Sequence, residues 1–525
     1  MPRGLKIDFS EPDLLFGREA AEYEDDVMFN SFYYNRNVSA DFTDPGKQLR
    51  IVSAYKGEGK SALLKFARHQ VSLDAAKRCL VINIIASDIS PSGNSVDFEE
   101  WVRLWKRAIM GKVAVELGCK IGVAIGDDAV SLVEEARSTG FRSHGLVGGI
   151  LRRVTLRAAA GTPPANVSMS VDVKQASGVA NSVEIVNRNI DDDAQVWLFI
   201  DDIDREFKNE PIHRIRVGAF LIAALELTSQ VCQLKIRTSI RPNVWKNVSR
   251  EFAALSHVRE NIRNIEWRED DLRGLLARRV EGYFIRTEQY DKVVARQGGM
   301  SEYDKECDLI SYAFMDPMYW GGRERPPYII VYTLSMHRPR WAVELCKHAC
   351  AGSTRMANEP IGLEDMTGNY SEFGQNRIDD TVAEFCHQCS LVGELIDAFK
   401  RQPEEFGTDE LIGIINKRIA QKLNVMISGV PGRASATDIA SFLFEVGLYY
   451  GRRDNADGTY CHYRYADSPT LLRSRTSIDA GLRWEVHPVF RQVLEMRDAN
   501  GNEVKVRNAR LYRYSGPIFP TPAPH

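Results

Sequence analysis

The residue types best suited to chemistry lie in the run from Ala54 to Ser61, which reads AYKGEGKS. A buried strand pattern precedes it and an apolar helix start follows. In this context, successive backbone N–H groups and a helix N-terminus can cradle phosphate oxygens. Lys60 would neutralise the β and γ phosphates, and the Ser61 hydroxyl would ligate Mg²⁺. The pattern therefore predicts an ATP site with Mg²⁺ as cofactor. The residues expected at the nucleotide are Gly57, Glu58, Gly59, Lys60, Ser61 and Ala62.

The run departs from the phosphate-loop pattern G-x-x-x-x-G-K-S at one position. Ala54 stands where the pattern has its first glycine. Because alanine adds only a methyl group, we expect the loop to form if Ala54 keeps a negative φ. A glycine turn that happens to precede Lys-Ser is the alternative.

Three carboxylates follow a second buried strand pattern, at residues 196–200. The sequence there is Asp201-Asp202-Ile203-Asp204-Arg205. Ligands of parallel sheets bind beyond the carboxyl ends of the strands, where these side chains fall. We assign Asp201 to Mg²⁺, directly or through water, because hard oxygen ligands suit this ion. We assign Asp202 to polarising the attacking water, and with Lys60 it forms the predicted catalytic pair. An acidic loop that caps the next helix is the alternative.

Short apolar runs alternate with helical patterns over residues 49–250, which predicts βαβ units around a parallel sheet. The predicted strands are 49–54, 79–85, 196–200 and 234–239. The predicted fold class is α/β, with a parallel-sheet P-loop core, a helical lid and a C-terminal winged-helix-like α+β module. The predicted divisions are a lead-in in 1–48 with a helix from Phe16 to residue 34, the core in 49–257 with an insertion at about 95–192 that includes a hairpin at 167–190, the lid in 258–433, the winged-helix-like module in 434–510 and a disordered tail in 511–525.

Bulk properties narrow the class of protein. The chain has 525 residues, of which 44% are hydrophobic and 26% charged, as in globular proteins. The net charge of −3 gives no general attraction to nucleic acid or anionic lipid. The nine cysteines are scattered, and no apolar stretch approaches the length of a membrane span. We therefore expect a cytoplasmic protein without a membrane partner.

The two nucleotide motifs together resemble those of the STAND and KAP-like branch of AAA+ ATPases. Residues 236–241 resemble the sensor-1 strand of that family, and residues 265–279 resemble the start of its helical lid. His337-Arg338-Pro339-Arg340 resembles the start of the sensor-2 helix. Phe16-Gly17 and the residues after it resemble prokaryotic P-loop ATPases, some of them from antiviral defence loci.

The resemblance implies further site residues. Thr238 or Ser239 would sense the γ-phosphate, and Arg338 or Arg340 would contact it from the lid. Surface ion pairs are the alternative role for these arginines. It also implies a homo-oligomer in which a neighbouring subunit supplies an arginine finger. The sequence does not choose among the candidates, which are Arg214, Arg216, Arg241, Arg259 and Arg263; Arg241 is also a sensor candidate.

Two weaker patterns have ordinary alternatives. Cys346, Cys350, Cys386 and Cys389 have spacings that could bind zinc, but both pairs fall in amphipathic helical segments and are expected to be core residues. The basic stretch 141–157 could meet a phosphate backbone, although a solvated insertion is favoured.

The C-terminal module has two interpretations. We predict a helix over 436–450, paired strands at 460–467 and 483–487, and another helix from 488. A winged helix of this kind either binds DNA or serves as a structural arm, and the arm is favoured. Accordingly the favoured function is an ATP-hydrolysing regulatory switch or remodeller with a separate effector. The alternative is a nucleic-acid-directed ATPase, such as a loader or translocase.

Overall fold

The computed structural model describes residues 5–20, 23–73, 79–121, 194–351, 359–368, 370–455, 460–472 and 482–504. Three sequence predictions lie outside these residues: the basic stretch 141–157, a hairpin at 167–190 and the tail 511–525. The chain divides into two compact units. Residues 35–266 form the sheet unit, and residues 1–34 with 267–525 form the helical unit.

The N-terminal segment was predicted as one helix from Phe16 to residue 34, and this prediction is wrong. Helix α1 spans Pro12–Phe16 and helix α2 spans Asp26–Phe32. Gly17 has a φ of 70°, which ends α1 because helical backbone requires negative φ. Arg286 donates to the Leu14 carbonyl oxygen at 2.5 Å and to Ser31 Oγ at 2.6 Å. These bonds hold the segment within the helical unit.

The sheet unit alternates strands with helices, as the sequence predicts. Its elements are α3 Val38–Thr43, β1 Leu49–Ser53, α4 Lys60–Leu73, β2 Cys79–Ile85, α5 Ala86–Ile89, α6 Phe98–Ile121, β3 Gln195–Asp201, α7 Pro211–Gln230, β4 Leu234–Ile240, α8 Pro242–Glu251, a 3-10 helix Ala253–Asn261 and β5 Ile262–Asn264. Proline occupies the first turn of α7 and of α8, where a missing N–H costs nothing.

The strand order in this unit is β2-β3-β4-β1-β5, and all neighbouring strands are parallel. β4 therefore lies between β1, which leads into the phosphate loop, and β3, which ends in the carboxylates. Buried residues of four strands pack with α6 and α7 into one hydrophobic core. The carboxyl ends of the parallel strands meet at one sheet edge and bring the two motifs together.

The helical unit continues with a series of helices and a small hairpin before its second sheet. Its elements up to that sheet are α9 Glu269–Arg286, α10 Tyr290–Arg296, α11 Glu302–Ala313, β6 Met318–Trp320, β7 Arg323–Arg325, α12 Pro327–Leu334, α13 Pro339–Cys350, α14 Leu363–Thr367, α15 Tyr370–Phe385 and α16 Val392–Asp397. The remaining elements are β8 Glu405–Gly407, α17 Thr408–Ile415, a π-helix Asn416–Ala420, α18 Ala436–Val446, β9 Tyr449–Asp454, β10 Tyr460–Tyr463, β11 Leu482–Val486 and α19 Pro488–Arg491.

The C-terminal sheet differs in detail from the sequence prediction. Its order is β10-β9-β11-β8, with antiparallel neighbours. α18 ends at Gly447, which has a φ of 86°, and the tyrosines after it begin β9 instead of extending the helix to residue 450. β9 separates the two strands that were expected to pair. β8 lies before residue 434, so the sheet includes residues on both sides of the predicted boundary.

The fold-class prediction is confirmed. The chain has a parallel-sheet P-loop core, a helical region and a C-terminal winged-helix-like α+β module. Within the described residues, no helix is long and apolar enough to cross a membrane.

Candidate nucleotide site

The phosphate loop follows β1 and ends where α4 begins at Lys60. Gly57 and Gly59 have φ values of 84° and 96°, which side chains other than glycine rarely adopt. Ala54 is buried, and its φ is not positive. Its N–H donates to the Ile240 carbonyl oxygen at 3.3 Å, which continues the β1–β4 ladder. The loop thus forms with alanine at its first position, as expected.

The Lys60 ammonium is held over the loop by backbone carbonyls. Its Nζ donates to the Ala54 oxygen at 2.6 Å and to the Tyr55 oxygen at 3.1 Å. An ammonium has three donors, so two fix its position and a third can bind a phosphate oxygen. Ser61 and Ala62 occupy the first turn of α4, where backbone N–H groups have no intrahelical partner. This arrangement suits a bound polyphosphate.

Asp201 ends β3 and receives two hydrogen bonds on one oxygen. Ser239 Oγ donates to Asp201 Oδ1 at 2.5 Å, and the Asp202 N–H donates to the same atom at 2.9 Å. Asp201 Oδ2 makes no hydrogen bond with the described part of the chain. This oxygen and the Ser61 hydroxyl are hard ligands of the kind Mg²⁺ accepts, and Mg²⁺ at phosphates commonly needs only one or two protein ligands. These residues fit the ion.

Asp202 has the backbone and electrostatic properties of an unusual carboxylate. Its φ is 60°, in the left-handed region. Asp202 is exposed to solvent, but partial desolvation by the surrounding protein and the nearby carboxylates of Asp201 and Asp204 raise its pKa above the ordinary value of 3.8. A raised pKa makes the ionised carboxylate a stronger proton acceptor than an ordinary aspartate, which suits a group that polarises water.

The two sensor candidates on β4 point to opposite faces of the sheet, as neighbouring strand residues must. Ser239 contacts Asp201. Thr238 is fully buried on the face that carries the core residues Ile236 and Ile240, and its hydroxyl has no hydrogen-bond partner among the described residues. The structure therefore brings Ser239 to the carboxylates and leaves Thr238 in the core.

Arg241 binds Asp204 and is thereby withdrawn from the other roles considered for it. Its N–H and Nε donate to Asp204 Oδ2 at 2.6 and 3.0 Å, and its guanidinium also donates to the Asp204 carbonyl oxygen. Asp204 is buried, and the pair joins the residues after β3 to the end of β4. The sequence offered no signal for this contact.

Four of the five arginine-finger candidates have partners. Besides Arg241, Arg214 pairs with Glu251, Arg216 donates to Ser90 Oγ, and Arg263 pairs with Asp41. Arg259 lies exposed on the 3-10 helix, and its side chain makes no hydrogen bond or ion pair with residues that the structure describes. Of the five, Arg259 therefore has the side chain that is not engaged by the described part of its own chain.

The two arginines near the start of α13, Arg338 and Arg340, also differ in whether their side chains have partners. Arg338 is buried, donates to Glu384 Oε2 at 2.8 Å and lies over the Trp341 ring at 4.3 Å. These contacts make Arg338 part of the helical packing. Arg340 is partly exposed, and its side chain makes no hydrogen bond or ion pair within the described ranges. Arg340 is therefore the better candidate for contact with a ligand.

Sequence reasoning missed Arg237, which the structure shows as a central buried cation. Its guanidinium donates to five carbonyl oxygens, three of them in the turn between α3 and β1, one in α3 and one in β4. These are the oxygens of Phe42, Asp44, Lys47, Gln48 and Ile236, at 2.7 to 3.2 Å. The available signal was an arginine inside an otherwise buried strand pattern, since such a charge requires dedicated partners.

The four cysteines do not form a metal site in the part of the chain that the structure describes. Cys346, Cys350 and Cys389 are buried core residues, while Cys386 donates to the Ala383 carbonyl oxygen. Among the described residues, no group of three or more His, Cys, Asp or Glu side chains could hold a metal ion.

α18 has no lysine or arginine and carries Asp438 and Glu445, so it offers no basic face to DNA.

Comparisons with known proteins find distant likeness to solved structures. The ORC2 protein of Aeropyrum pernix in ADPNP–ADP complexes aligns with a TM-score of 0.37 and 11% identity, over 84% of each chain. Cdc6p from Pyrobaculum aerophilum gives 0.30 and 9%, over 90% of this chain and 98% of that one. Drosophila ORC bound to DNA gives 0.28 and 10%, over 85% and 88%. No family model and no curated protein matches the chain. At these similarities, function has to be argued from the site itself.

Proposed function

We propose that this protein is an ATP-binding and ATP-hydrolysing regulatory ATPase of the AAA+ and STAND type. The observation that carries the proposal is the geometry of Lys60, whose ammonium is held by two loop carbonyls beside two positive-φ glycines. This geometry places one strong cation and several backbone donors where a triphosphate would bind.

Each residue then has a role that follows from its contacts. Lys60 neutralises phosphate charge, and Ser61 with Asp201 would hold Mg²⁺, which would offset charge on the phosphate oxygens. Ser239 orients Asp201 through their hydrogen bond. Asp202 accepts a proton from the attacking water, helped by its raised pKa. Arg340 is the proposed lid contact, and Arg259 is the proposed finger supplied to a neighbouring copy.

The regulatory function is preferred to a nucleic-acid-directed ATPase because of the composition of α18, the helix of the winged-helix-like module that precedes β9. Recognition helices carry basic and polar side chains into the DNA groove. α18 has two carboxylates and no lysine or arginine, and most of its side chains are buried. These features favour a packing role for the module. The separate effector and a role in antiviral defence rest on the family resemblance alone.

The test is Lys60→Ala, measured by calorimetric titration with ATP and Mg²⁺. We expect binding to be lost while the melting curve is unchanged, since the ammonium donates only to loop carbonyls among the described residues. Lys292→Ala, at an exposed lysine of α10, is the matched control and should bind normally. Unchanged ATP affinity in Lys60→Ala would remove the assignment. ATPase rates that rise strongly with DNA would instead support the nucleic-acid-directed function.

A further inference from the structure

The phosphate-loop pattern places no requirement on the side chain at position 58, yet Glu58 has a specific contact in this loop. Its N–H donates to the Tyr55 carbonyl oxygen at 3.3 Å, which closes a four-residue turn with Gly57 at its third position. Its carboxylate Oε2 accepts the Tyr55 N–H at 2.6 Å. Glu58 therefore binds both the N–H and the carbonyl group of Tyr55.

The Tyr55 carbonyl is also one of the two groups that hold Lys60. A contact that fixes Tyr55 therefore fixes an acceptor of the Lys60 ammonium. The carboxylate–amide bond is charge-assisted, and such bonds are about twice as strong as neutral ones. Without it, the turn would rely more on its long backbone hydrogen bond and on Gly57, the most flexible residue type.

We propose that the Glu58 side chain is a positioning residue that shapes the phosphate loop and holds Lys60 ready for the triphosphate. This inference rests on the proposed ATP site and assigns a side-chain role that the loop pattern does not contain. The Glu58 carboxylate acts through Tyr55 and Lys60 and does not itself bind phosphate. Its negative charge opposes the bound triphosphate, because both lie in one loop. The hydrogen bond and the charge thus act on ATP affinity in opposite directions.

The opposite signs allow a sharp test with two variants of one residue. Glu58→Ala removes both the acceptor and the charge, and Glu58→Gln removes the charge but keeps an amide oxygen that can accept the Tyr55 N–H. ATP affinity with Mg²⁺ would be measured by titration calorimetry for both variants. We expect Glu58→Ala to bind ATP about tenfold or more weakly than wild type, in line with the loss of a hydrogen bond to a charged group. Glu58→Gln should bind as tightly as wild type or more tightly.

The matched control is Glu99→Ala, which removes an exposed glutamate from the first turn of α6 and should leave affinity unchanged. Melting curves for all variants separate an effect on the loop from a loss of the fold. ATP affinity that is kept in Glu58→Gln and lost in Glu58→Ala shows that the hydrogen-bond acceptor is what matters at this position. Equal or tighter binding by Glu58→Ala would overturn the proposal, as would binding by Glu58→Gln that is as weak as in Glu58→Ala. Absence of ATP binding by wild type would remove the proposed function together with this role. Wild-type binding with no difference between variants would remove the Glu58 role alone.

Discussion

At the scale of single residues, the ionised carboxylate of Asp202 lowers the stability of the folded protein. Its pKa is raised, so the folded state favours the protonated carboxyl more than the unfolded state does. Stability from this group is complete below the ordinary pKa of 3.8 and is lost as the pH rises through the raised folded value. Asp202→Asn should therefore raise the melting temperature at neutral pH. Asparagine also tolerates the left-handed backbone found here.

The pH dependence checks this prediction. Thermal unfolding of both proteins, followed from acid to neutral pH, should show a gain at neutral pH that disappears below the ordinary aspartate pKa. The reason is that a pKa difference between the folded and unfolded states makes stability depend on pH. A gain in melting temperature that is constant with pH would point to the backbone instead of the charge.

Because asparagine cannot accept the proton from water, the same variant should bind ATP and fail to hydrolyse it. Hydrolysis at the wild-type rate would move the catalytic role to another residue.

The positions of the motif residues could be predicted because they follow from local spacing, and the chemical roles of these residues stay predictions. Lys60 and Asp201 lie next to strand ends that the sequence reveals, so their positions follow from the sheet. The partners of Arg241 and Arg338 could not be predicted in this way. Asp204 and Glu384 are 37 and 46 residues away from them in the chain, and only tertiary packing selects such pairs. The sequence does not distinguish one arginine from another. Burial and pairing in the fold decide which side chains remain available to bind a ligand.

At the scale of elements, β4 and the residue after it link the turn that leads into β1 to the carboxylates that follow β3. Arg237 and Ser239 alternate along β4, Arg241 follows its last residue, and each contacts a different part of the chain. Arg237 binds carbonyls of the turn before β1, Ser239 binds Asp201 at the end of β3, and Arg241 binds Asp204 beyond it. β4 lies between β1 and β3 in the sheet. The side chains of β4 and of Arg241 therefore fix the turn that leads into β1 and the carboxylates after β3 in one frame.

Two helical glycines allow a prediction about the packing of the N-terminal segment. A Cβ on Gly274 of α9 would overlap the Tyr34 ring, whereas a Cβ on Gly413 of α17 would meet nothing within 4 Å. Gly274→Ala should lower the free energy of unfolding by about 1–3 kcal/mol, because overpacking outweighs the gain in helix propensity. Gly413→Ala should raise it by about 0.5–1 kcal/mol. Both glycines lie in the helical unit.

Chemical unfolding followed by circular dichroism measures this pair, with Gly413→Ala as the control for helix propensity. A stabilising Gly274→Ala would show that Tyr34 does not pack against α9. The sequence could not reveal this packing, because residues 16–34 have the pattern of one continuous helix. The structure has two short helices there, and the break at Gly17 sets where Tyr34 lies. Short elements such as β8 were missed for a related reason: three residues carry too little pattern to identify a strand.

At the scale of the whole molecule, the C-terminal sheet belongs to the same structure as the helices before it. β8 pairs with β11, so its partner lies about 80 residues later in the chain. The Phe399 ring lies 6.0 Å from Tyr449, and the Phe385 ring lies 6.2 Å from Phe442. Arg491 is buried and forms an ion pair with Glu404. The segment before residue 430 thus depends on the segment after it.

A chain ending at residue 430 should therefore lose the fold of its helical unit. It would leave β8 unpaired, expose the Phe385 and Phe399 rings and leave Glu404 without its arginine. Burial already raises the pKa of Glu404, so its carboxylate needs a partner. The loss of this ion pair, of the β8–β11 pairing and of the aromatic contacts together is large beside the roughly 5–15 kcal/mol that stabilises a typical domain. Exposed apolar surface would then promote aggregation.

A fragment of residues 35–266 should behave in the opposite way. The hydrophobic core of the sheet unit lies wholly between Leu49 and Val258, so the fragment keeps every residue of that core. It also keeps Lys60, Asp201 and Ser239. Size-exclusion chromatography, near-ultraviolet circular dichroism and ATP titration would compare the two chains. We expect the 35–266 fragment to be monodisperse and to bind ATP with Mg²⁺, and the chain ending at residue 430 to aggregate. A soluble chain ending at residue 430 with native near-ultraviolet signal would show that the helices fold without β9 and β11, because their packing against Phe385 and Phe399 would then be dispensable.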